Sequence, residues 1–200
     1  GGADFSSTTD LTAAVVLFML PNDPHIYVMA MFWLPEELLE RRAREDRIPY
    51  DLWKDQGYLR TCEGNKVRQK DVTDWFLEVQ NDLDCYIYRG GYDAWSASYW
   101  VDEMQETFGK GVFTPVQQTM KVLSLPMKQL GADFDSKLIV YNNNPVLKWC
   151  LANTGIVEDK NGNIKPNKTS KARKRIDGLA ALLDAFVVFQ DCQDDYKSML

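Results

Sequence analysis

The segments AAVVLFML (residues 13–20) and IYVMAMFWL (residues 26–34), separated by PNDPH, decide the fold class of this chain. They are eight and nine residues long, whereas a membrane-spanning helix needs roughly 20 apolar residues, so we expect no membrane partner. The intervening segment contains proline, asparagine and aspartate, which are typical of turns. The pattern therefore predicts two buried strands, over residues 12–20 and 26–34, joined by a tight turn.

Outward from this pair, the sequence predicts a short strand over residues 2–6 and then helices alternating with strands. The predicted helices are 36–46, 49–57, 70–83, 94–108, 125–130, 145–153 and 175–190; the predicted strands are 85–88, 112–116 and 138–141, with hairpins at 59–67 and 156–164. Three consecutive strands followed by this alternation predict an α/β fold with a mixed central sheet and helices on both faces. We expect residues 1–200 to form one domain with a frayed acidic tail at 191–200.

Composition excludes several functional classes. The chain has 200 residues and a net charge of −6, from 23 basic and 29 acidic residues, which is unlike a uniformly basic nucleic-acid coat. Its four cysteines are widely spaced and there is a single histidine, so the sequence predicts free thiols and no zinc site. It contains neither a phosphate-binding GxxxxGK[ST] motif nor the basic-then-apolar start of a signal peptide.

Three aspartates are the strongest candidates for catalysis. Asp4 lies in the first predicted strand, where a buried carboxylate is unfavourable unless it has a partner. Asp93 follows the fourth predicted strand, and Asp177 lies in the first turn of the last helix. If these strands are neighbours and the helix packs across them, the three carboxylates converge and could bind Mg²⁺ or Mn²⁺. Each aspartate taken alone could instead be solvated or cap a helix.

Two further acids are weaker candidates. Asp184 is on the same helical face as Asp177 but about 10.5 Å further along the axis, at roughly 1.5 Å per residue. We therefore expect it to contact metal ligands at most, and not the metal itself. Asp10 lies in the polar segment SSTTD and is more typical of a turn.

A basic segment precedes Asp177. Residues 165–175 read KPNKTSKARKR and contain no acid. In an acidic chain, this is the segment best suited to follow a phosphate backbone, unless it is simply a solvated loop. The candidate DNA-binding residues are Lys165, Lys168, Lys171 and Arg173.

Several of these segments together resemble the C-terminal nuclease domain of the large terminase subunit of tailed bacteriophages. In chain order they are GADFSSTTDLTA (2–13), FWLPE (32–36), PYDLW (49–53), GYL (57–59), YDAW (92–95), NPVLKW (144–149), NGNIKP (161–166) and RIDG (175–178). The resemblance covers nearly the whole chain. The sequence differs from the family pattern at two places. Alanine instead of proline follows Asp93, and the basic segment before Asp177 is longer than expected.

The resemblance implies an RNase H-like fold and a nuclease that uses two divalent cations, Mg²⁺ or Mn²⁺, to cut concatemeric double-stranded viral DNA during packaging. The family's acids correspond to Asp4, Asp93 and Asp177. The resemblance also implies three partners, which are an N-terminal ATPase domain, a small terminase subunit and a portal protein. Because the sequence shows no ATPase domain, we expect the chain to be a truncated form of the family's protein. The implied location is the cytoplasm of the bacterial host, at the procapsid portal.

Two other functions stay open from the sequence alone. One is a non-cutting RNase H-like module that docks on DNA or on a portal protein. The other is a different RNase H-like nuclease, such as a resolvase or a transposase. An endonuclease takes up metal and cleaves DNA, whereas the docking module does neither. Cleavage of branched junctions or strand transfer would distinguish a resolvase or a transposase from the terminase nuclease.

Overall fold

A computed structural model describes residues 1–5, 11–94, 100–168 and 175–200. Its strands are β1 (Gly2–Asp4), β2 (Thr12–Phe18), β3 (Ile26–Pro35), β4 (Leu59–Cys62), β5 (Gly90–Asp93), β6 (Phe113–Val116), β7 (Ile139–Val140), β8 (Thr154–Glu158) and β9 (Ile164–Lys168). Its α-helices are α1 (Leu39–Asp46), α2 (Tyr50–Asp55), α3 (Gln69–Asp82), α4 (Val101–Phe108), α5 (Met120–Asp135), α6 (Pro145–Asn153) and α7 (Asp177–Lys197).

The central sheet is mixed, as predicted. Its strand order is β4-β3-β2-β1-β5-β6, and β7 pairs with the start of β3. The pairs β1–β2 and β2–β3 are antiparallel, whereas β1–β5, β5–β6 and β3–β4 are parallel. Consequently β1, β3 and β5 all end at the same edge of the sheet, where open α/β sheets bind their ligands.

Helices cover both faces of this sheet because β2 is apolar on both sides. Ala13 and Val15 belong to one buried cluster, with residues of α5, α6 and α7. Ala14 and Val16 belong to a second cluster, with residues of α3 and α4. Successive strand residues face opposite sides, so a strand that is apolar throughout residues 13–18 needs a helical layer on each face.

Four sequence predictions were wrong in extent or type. Residues 63–66 form bends after β4, which pairs with β3, and the chain then enters α3 without a second hairpin strand. Residues 85–88 are not a strand; pairing starts at Gly90, whose N–H donates to the carbonyl of Val112. Helix α5 extends well beyond 125–130 because Thr119 caps its start and Leu123 and Leu130 are buried.

The fourth wrong prediction is the frayed tail from residue 191, because α7 continues to Lys197. The Tyr196 hydroxyl accepts a hydrogen bond of 3.1 Å from the backbone N–H of Met19, and its ring contacts Phe189. These contacts anchor the last turns of α7. The predicted helix 94–108 is described only in part: residues 101–108 form α4, and 95–99 lie outside the described residues.

Helix α7 packs directly onto β1 and β5, and two glycines make this possible. A Cβ atom added to Gly2 would overlap the backbone of Ala181 and Ala185 in α7. A Cβ atom added to Gly91 would lie 2.5 Å from the carbonyl oxygen of Asp184. The close approach brings the start of α7 to the edge where β1 and β5 end.

This contact predicts that Gly91→Ala destabilises the protein by about 1–3 kcal/mol, the range typical of overpacking. Gly131→Ala is the matched control, since Gly131 lies inside α5 with open space around its Cα. It should stabilise by about 0.5–1 kcal/mol, because alanine has the higher helix propensity. Urea unfolding measures both changes, and equal stabilities of the two variants would contradict the close packing.

Candidate active site

The candidate acids are carried by two adjacent strands and one helix. Ala3 of β1 is paired in register with Tyr92 of β5, so Asp4 and Asp93 occupy the next positions along two parallel strands. Asp177 is the first residue of α7, the helix that packs over these strands. The structure therefore places all three predicted acids at one edge of the sheet.

The carboxyl of Asp4 lies among several other charged groups. Burial raises its pKa well above the usual value, and the charges of Asp177, Asp184 and Asp93 raise it further. The ammonium group of Lys168 acts in the opposite direction. Asp177, Asp184 and Asp93 are thus each close enough to Asp4 to repel its ionised carboxyl.

The side chain of Asp177 is removed from solvent, with the residue only 4% exposed. Burial raises its pKa to about 6, opposed by the nearby charges of Lys168 and Arg175. Its Oδ2 atom is buried and has no hydrogen-bond partner among the described residues. Within the described part of the chain, a cation at this oxygen would therefore displace no hydrogen-bond donor.

Asp184 is more deeply buried than its predicted minor role suggested, at 1% exposure. Its Oδ1 atom accepts a 2.8 Å hydrogen bond from Nε2 of Gln118, a residue that the sequence did not single out. Its Oδ2 has no partner within the described part of the chain. Burial raises its pKa well above the usual value; Gln118 opposes this, and the charge of Asp93 adds to it.

The donor set suits a hard divalent cation. Carboxylate oxygens are the ligands that Mg²⁺ and Mn²⁺ prefer, and two buried carboxylate oxygens lack partners in the described ranges. Within those ranges, no three His, Cys, Asp or Glu side chains are grouped as a complete metal site. The carboxylate donors nevertheless fit the chemistry of such a cation.

The predicted DNA-binding residues divide into two groups. Lys165 and Lys168 are both in β9, but they are three residues apart, so their side chains leave opposite faces of the strand. Lys168 is exposed and its charge acts on Asp4 and Asp177. Lys171 and Arg173, like the candidate Asp10, lie outside the described residues.

Sequence analysis missed a buried ion pair next to the acids. Nε of Arg175 lies 3.2 Å from Oδ2 of Asp46, at the end of α1, and the two side chains are 6% and 1% exposed. Tyr50 donates a 2.9 Å hydrogen bond to the same carboxylate. The position of Arg175, two residues before Asp177, could have indicated its role. No local pattern distinguishes Asp46 from the other acids of α1.

Comparison with known proteins identifies the family. Residues 1–192 match the family described as "Terminase large subunit, endonuclease domain". The chain belongs to this family. It is a terminase nuclease domain with an RNase H-like fold, in agreement with the mixed sheet and its covering helices.

Similar proteins come from several phages. The large terminase subunit of Enterobacteria phage HK97 is 32% identical over 90% of this chain and 35% of that protein. The crystal structure of the HK97 large terminase superposes with a TM-score of 0.82 and 29% identity, covering 94% of this chain and 38% of that one. This chain thus spans about a third of the length of its HK97 relative.

Two more distant structures share the fold. The nuclease of the large terminase from thermophilic phage G20c, with bound magnesium, has a TM-score of 0.55 and 14% identity, over 92% of this chain and 78% of that one. The nuclease domain of bacteriophage SPP1, with bound Mn, has a TM-score of 0.51 and 15% identity, over 95% and 84%. Within the described ranges, no helix has the length and hydrophobicity to cross a bilayer.

The raised pKa of Asp177 predicts a pH-dependent cost to folding of this terminase nuclease domain. The pKa is about 6 when folded against 3.8 for the reference group, so the stabilising contribution of this carboxyl is present below pH 3.8 and lost as pH rises through 6. Without divalent cations at pH 8, Asp177→Asn should raise the free energy of unfolding by up to about 3 kcal/mol.

Urea unfolding with EDTA between pH 4 and pH 8 measures this effect, and the advantage of Asp177→Asn should shrink toward zero at the acid end. Asp82→Asn, at the exposed end of α3, is the control and should not change the shape of the pH profile. If Asp177→Asn were destabilised at pH 8, burial would not be what sets the pKa of Asp177.

Proposed function

We propose that this chain is the DNA-cutting part of a phage or prophage large terminase, a metal-dependent endonuclease that hydrolyses phosphodiester bonds of double-stranded DNA. The observation that carries the proposal is that Asp4, Asp93 and Asp177 share one edge of an RNase H-like sheet. Partnerless buried oxygens at that edge, among the described residues, support cation binding. The magnesium and manganese in the G20c and SPP1 nuclease structures also support it.

In the proposed reaction, Asp4, Asp93 and Asp177 hold two divalent cations. When bound, such ions neutralise charge on the phosphate and lower the pKa of an attacking water. The protein supplies the ionised carboxylates and fixes their positions on β1, β5 and α7. Asp184, held by Gln118, is proposed to adjust the charge beside Asp93 and Asp4, and Asp10 stays a prediction for a supporting role.

The DNA backbone is proposed to follow β9 toward the acids. Lys168 is exposed at the end of β9, and its charge acts on Asp4 and Asp177, so a phosphate bound there would lie next to the carboxylates. Lys165, Lys171 and Arg173 are proposed to make further phosphate contacts. Phosphate contacts of this kind give affinity without reading the base sequence.

The biological setting is proposed from the family. The substrate would be concatemeric viral DNA, cut in the host cytoplasm at the procapsid portal during packaging. An N-terminal ATPase domain, a small terminase subunit and a portal protein would be the partners, because this chain covers about a third of its HK97 relative. A non-cutting docking module and a resolvase or transposase are the alternatives that the experiments must separate.

Asp4→Asn and Asp177→Asn are each expected to lower the rate of plasmid cleavage in Mn²⁺ or Mg²⁺ by more than about 100-fold, because each removes a charged ligand. Supercoiled plasmid is incubated with either metal or with EDTA, and nicked and linear products are quantified on gels. Asp82→Asn should cleave like the parent protein. Cleavage that persists in EDTA would rule out the two-cation reaction.

The outcome for a folded parent protein also separates the alternatives. DNA binding with neither cleavage nor Mn²⁺ uptake would favour the docking module. Preferential cleavage of branched junctions over linear duplex would favour a resolvase.

DNA affinity should fall steeply with salt, and removing Lys168 should reduce the slope of log K against log salt by about one. Lys168→Ala should also slow cleavage more than Lys165→Ala, because the ammonium group of Lys168 acts on Asp4 and Asp177. Fluorescence anisotropy with a duplex measures the affinity between about 50 and 200 mM salt, the range in which lost phosphate contacts change DNA affinity strongly. Lys70→Ala, which removes a lysine paired with Asp74 on α3, is the control. An unchanged slope for Lys168→Ala would remove this residue from the DNA path.

A further inference from the structure

The ion pair between Arg175 and Asp46 joins α1 to the residues that enter α7. Both guanidinium contacts reach the same carboxylate, Nε to Oδ2 at 3.2 Å and Nη2 to Oδ1 at 3.4 Å. Tyr50, in α2, donates a third hydrogen bond to this carboxylate. The pair is therefore fixed in a fork geometry that a single-point charge such as lysine cannot reproduce.

The backbone of Arg175 is held as well. Its carbonyl oxygen accepts a 3.2 Å hydrogen bond from Nδ2 of Asn153, the last residue of α6. Ile176 follows, and its side chain has no group that could cap the helix. Arg175 thus connects the start of α7 to α1 through its side chain and to α6 through its main chain.

Asp177 depends on this placement. Its Oδ2 has no hydrogen-bond partner among the residues that the structure describes, so the backbone at the start of α7 sets the position of that oxygen. Replacing a buried ion pair by uncharged groups is often neutral for stability, so stability alone does not account for a charged pair here.

We propose that the pair Arg175–Asp46 positions Asp177 for cation binding; this rests on the proposed nuclease function. Arg175 and Asp46 are positioning residues and touch neither cation nor DNA. The charges of Arg175 and Asp46 act on Asp177 in opposite directions, so the main effect of the pair on Asp177 is through geometry. Supporting contacts of metal ligands typically change metal affinity or activity by about 10- to 100-fold.

The test uses two variants of the chain, Arg175→Lys and the double variant Arg175→Met/Asp46→Asn. The double variant removes both charges, and the amide oxygen introduced at position 46 would still accept the hydrogen bond from Tyr50, which favours folding. The control is Arg60→Met, which breaks the similarly forked but exposed pair Arg60–Glu78 on β4 and α3. Mn²⁺ affinity is measured by titration calorimetry, the Mn²⁺ dependence of plasmid cleavage is measured separately, and urea unfolding reports stability.

Both test variants are expected to bind Mn²⁺ about 10- to 100-fold more weakly and to need correspondingly more Mn²⁺ for half-maximal cleavage, with Arg60→Met unchanged. Parent-like Mn²⁺ affinity in Arg175→Lys and in the double variant would overturn the inference and leave the nuclease proposal standing. If the double variant does not fold, Arg175→Lys alone decides, since it keeps a cation beside Asp46. No Mn²⁺ binding and no cleavage by the parent protein would instead reject the proposed function.

Discussion

The direct contact of α7 with β1 and β5 is the constraint on which the site depends. Only a residue without a Cβ atom fits at positions 2 and 91, where the helix backbone touches the strands. This contact brings one helix, two strands and four carboxylates to one edge of the sheet. A larger residue at either glycine would move α7 away from the sheet and separate Asp177 from Asp4, even if every acid were retained.

The charges collected by this contact oppose folding. Burial raises the pKa values of Asp4, Asp177 and Asp184, and the charges of neighbouring aspartates raise them further. Keeping all three ionised near neutral pH therefore costs free energy that apolar packing on both faces of the sheet must offset. A divalent cation would relieve this repulsion, because its charge stabilises the ionised form of each ligand. A site that is unfavourable when empty and favourable when loaded is one in which cation binding and folding stability are coupled.

Much of the fold was predictable from the sequence because its signals are local. The two apolar segments at 12–20 and 26–34, the Asn161-Gly162 turn and the helix over 145–153 each carry their own pattern. The errors occurred where tertiary contacts decide. Pro126 lies inside α5 because Leu123 and Leu130 on the flanking turns are buried, and α7 continues through an acidic tail because Tyr196 is anchored. Asp4, Asp93 and Asp177 were selected by their places on elements, whereas Asp46 and Gln118 act across more than 60 residues of chain and leave no local signal.

The structure also separates two tasks that the sequence presents as one. In the sequence, Arg175 is the last member of a basic run that extends from Lys165, and charge alone would assign every member to DNA. In the fold, Lys168 is exposed near the acids, whereas Arg175 is buried against Asp46. A buried, paired guanidinium cannot take up a phosphate without leaving its carboxylate uncompensated, which is strongly unfavourable. The same run of charge thus contains the exposed Lys168, which is the proposed DNA contact, and the buried Arg175, which attaches the start of α7 two residues before Asp177.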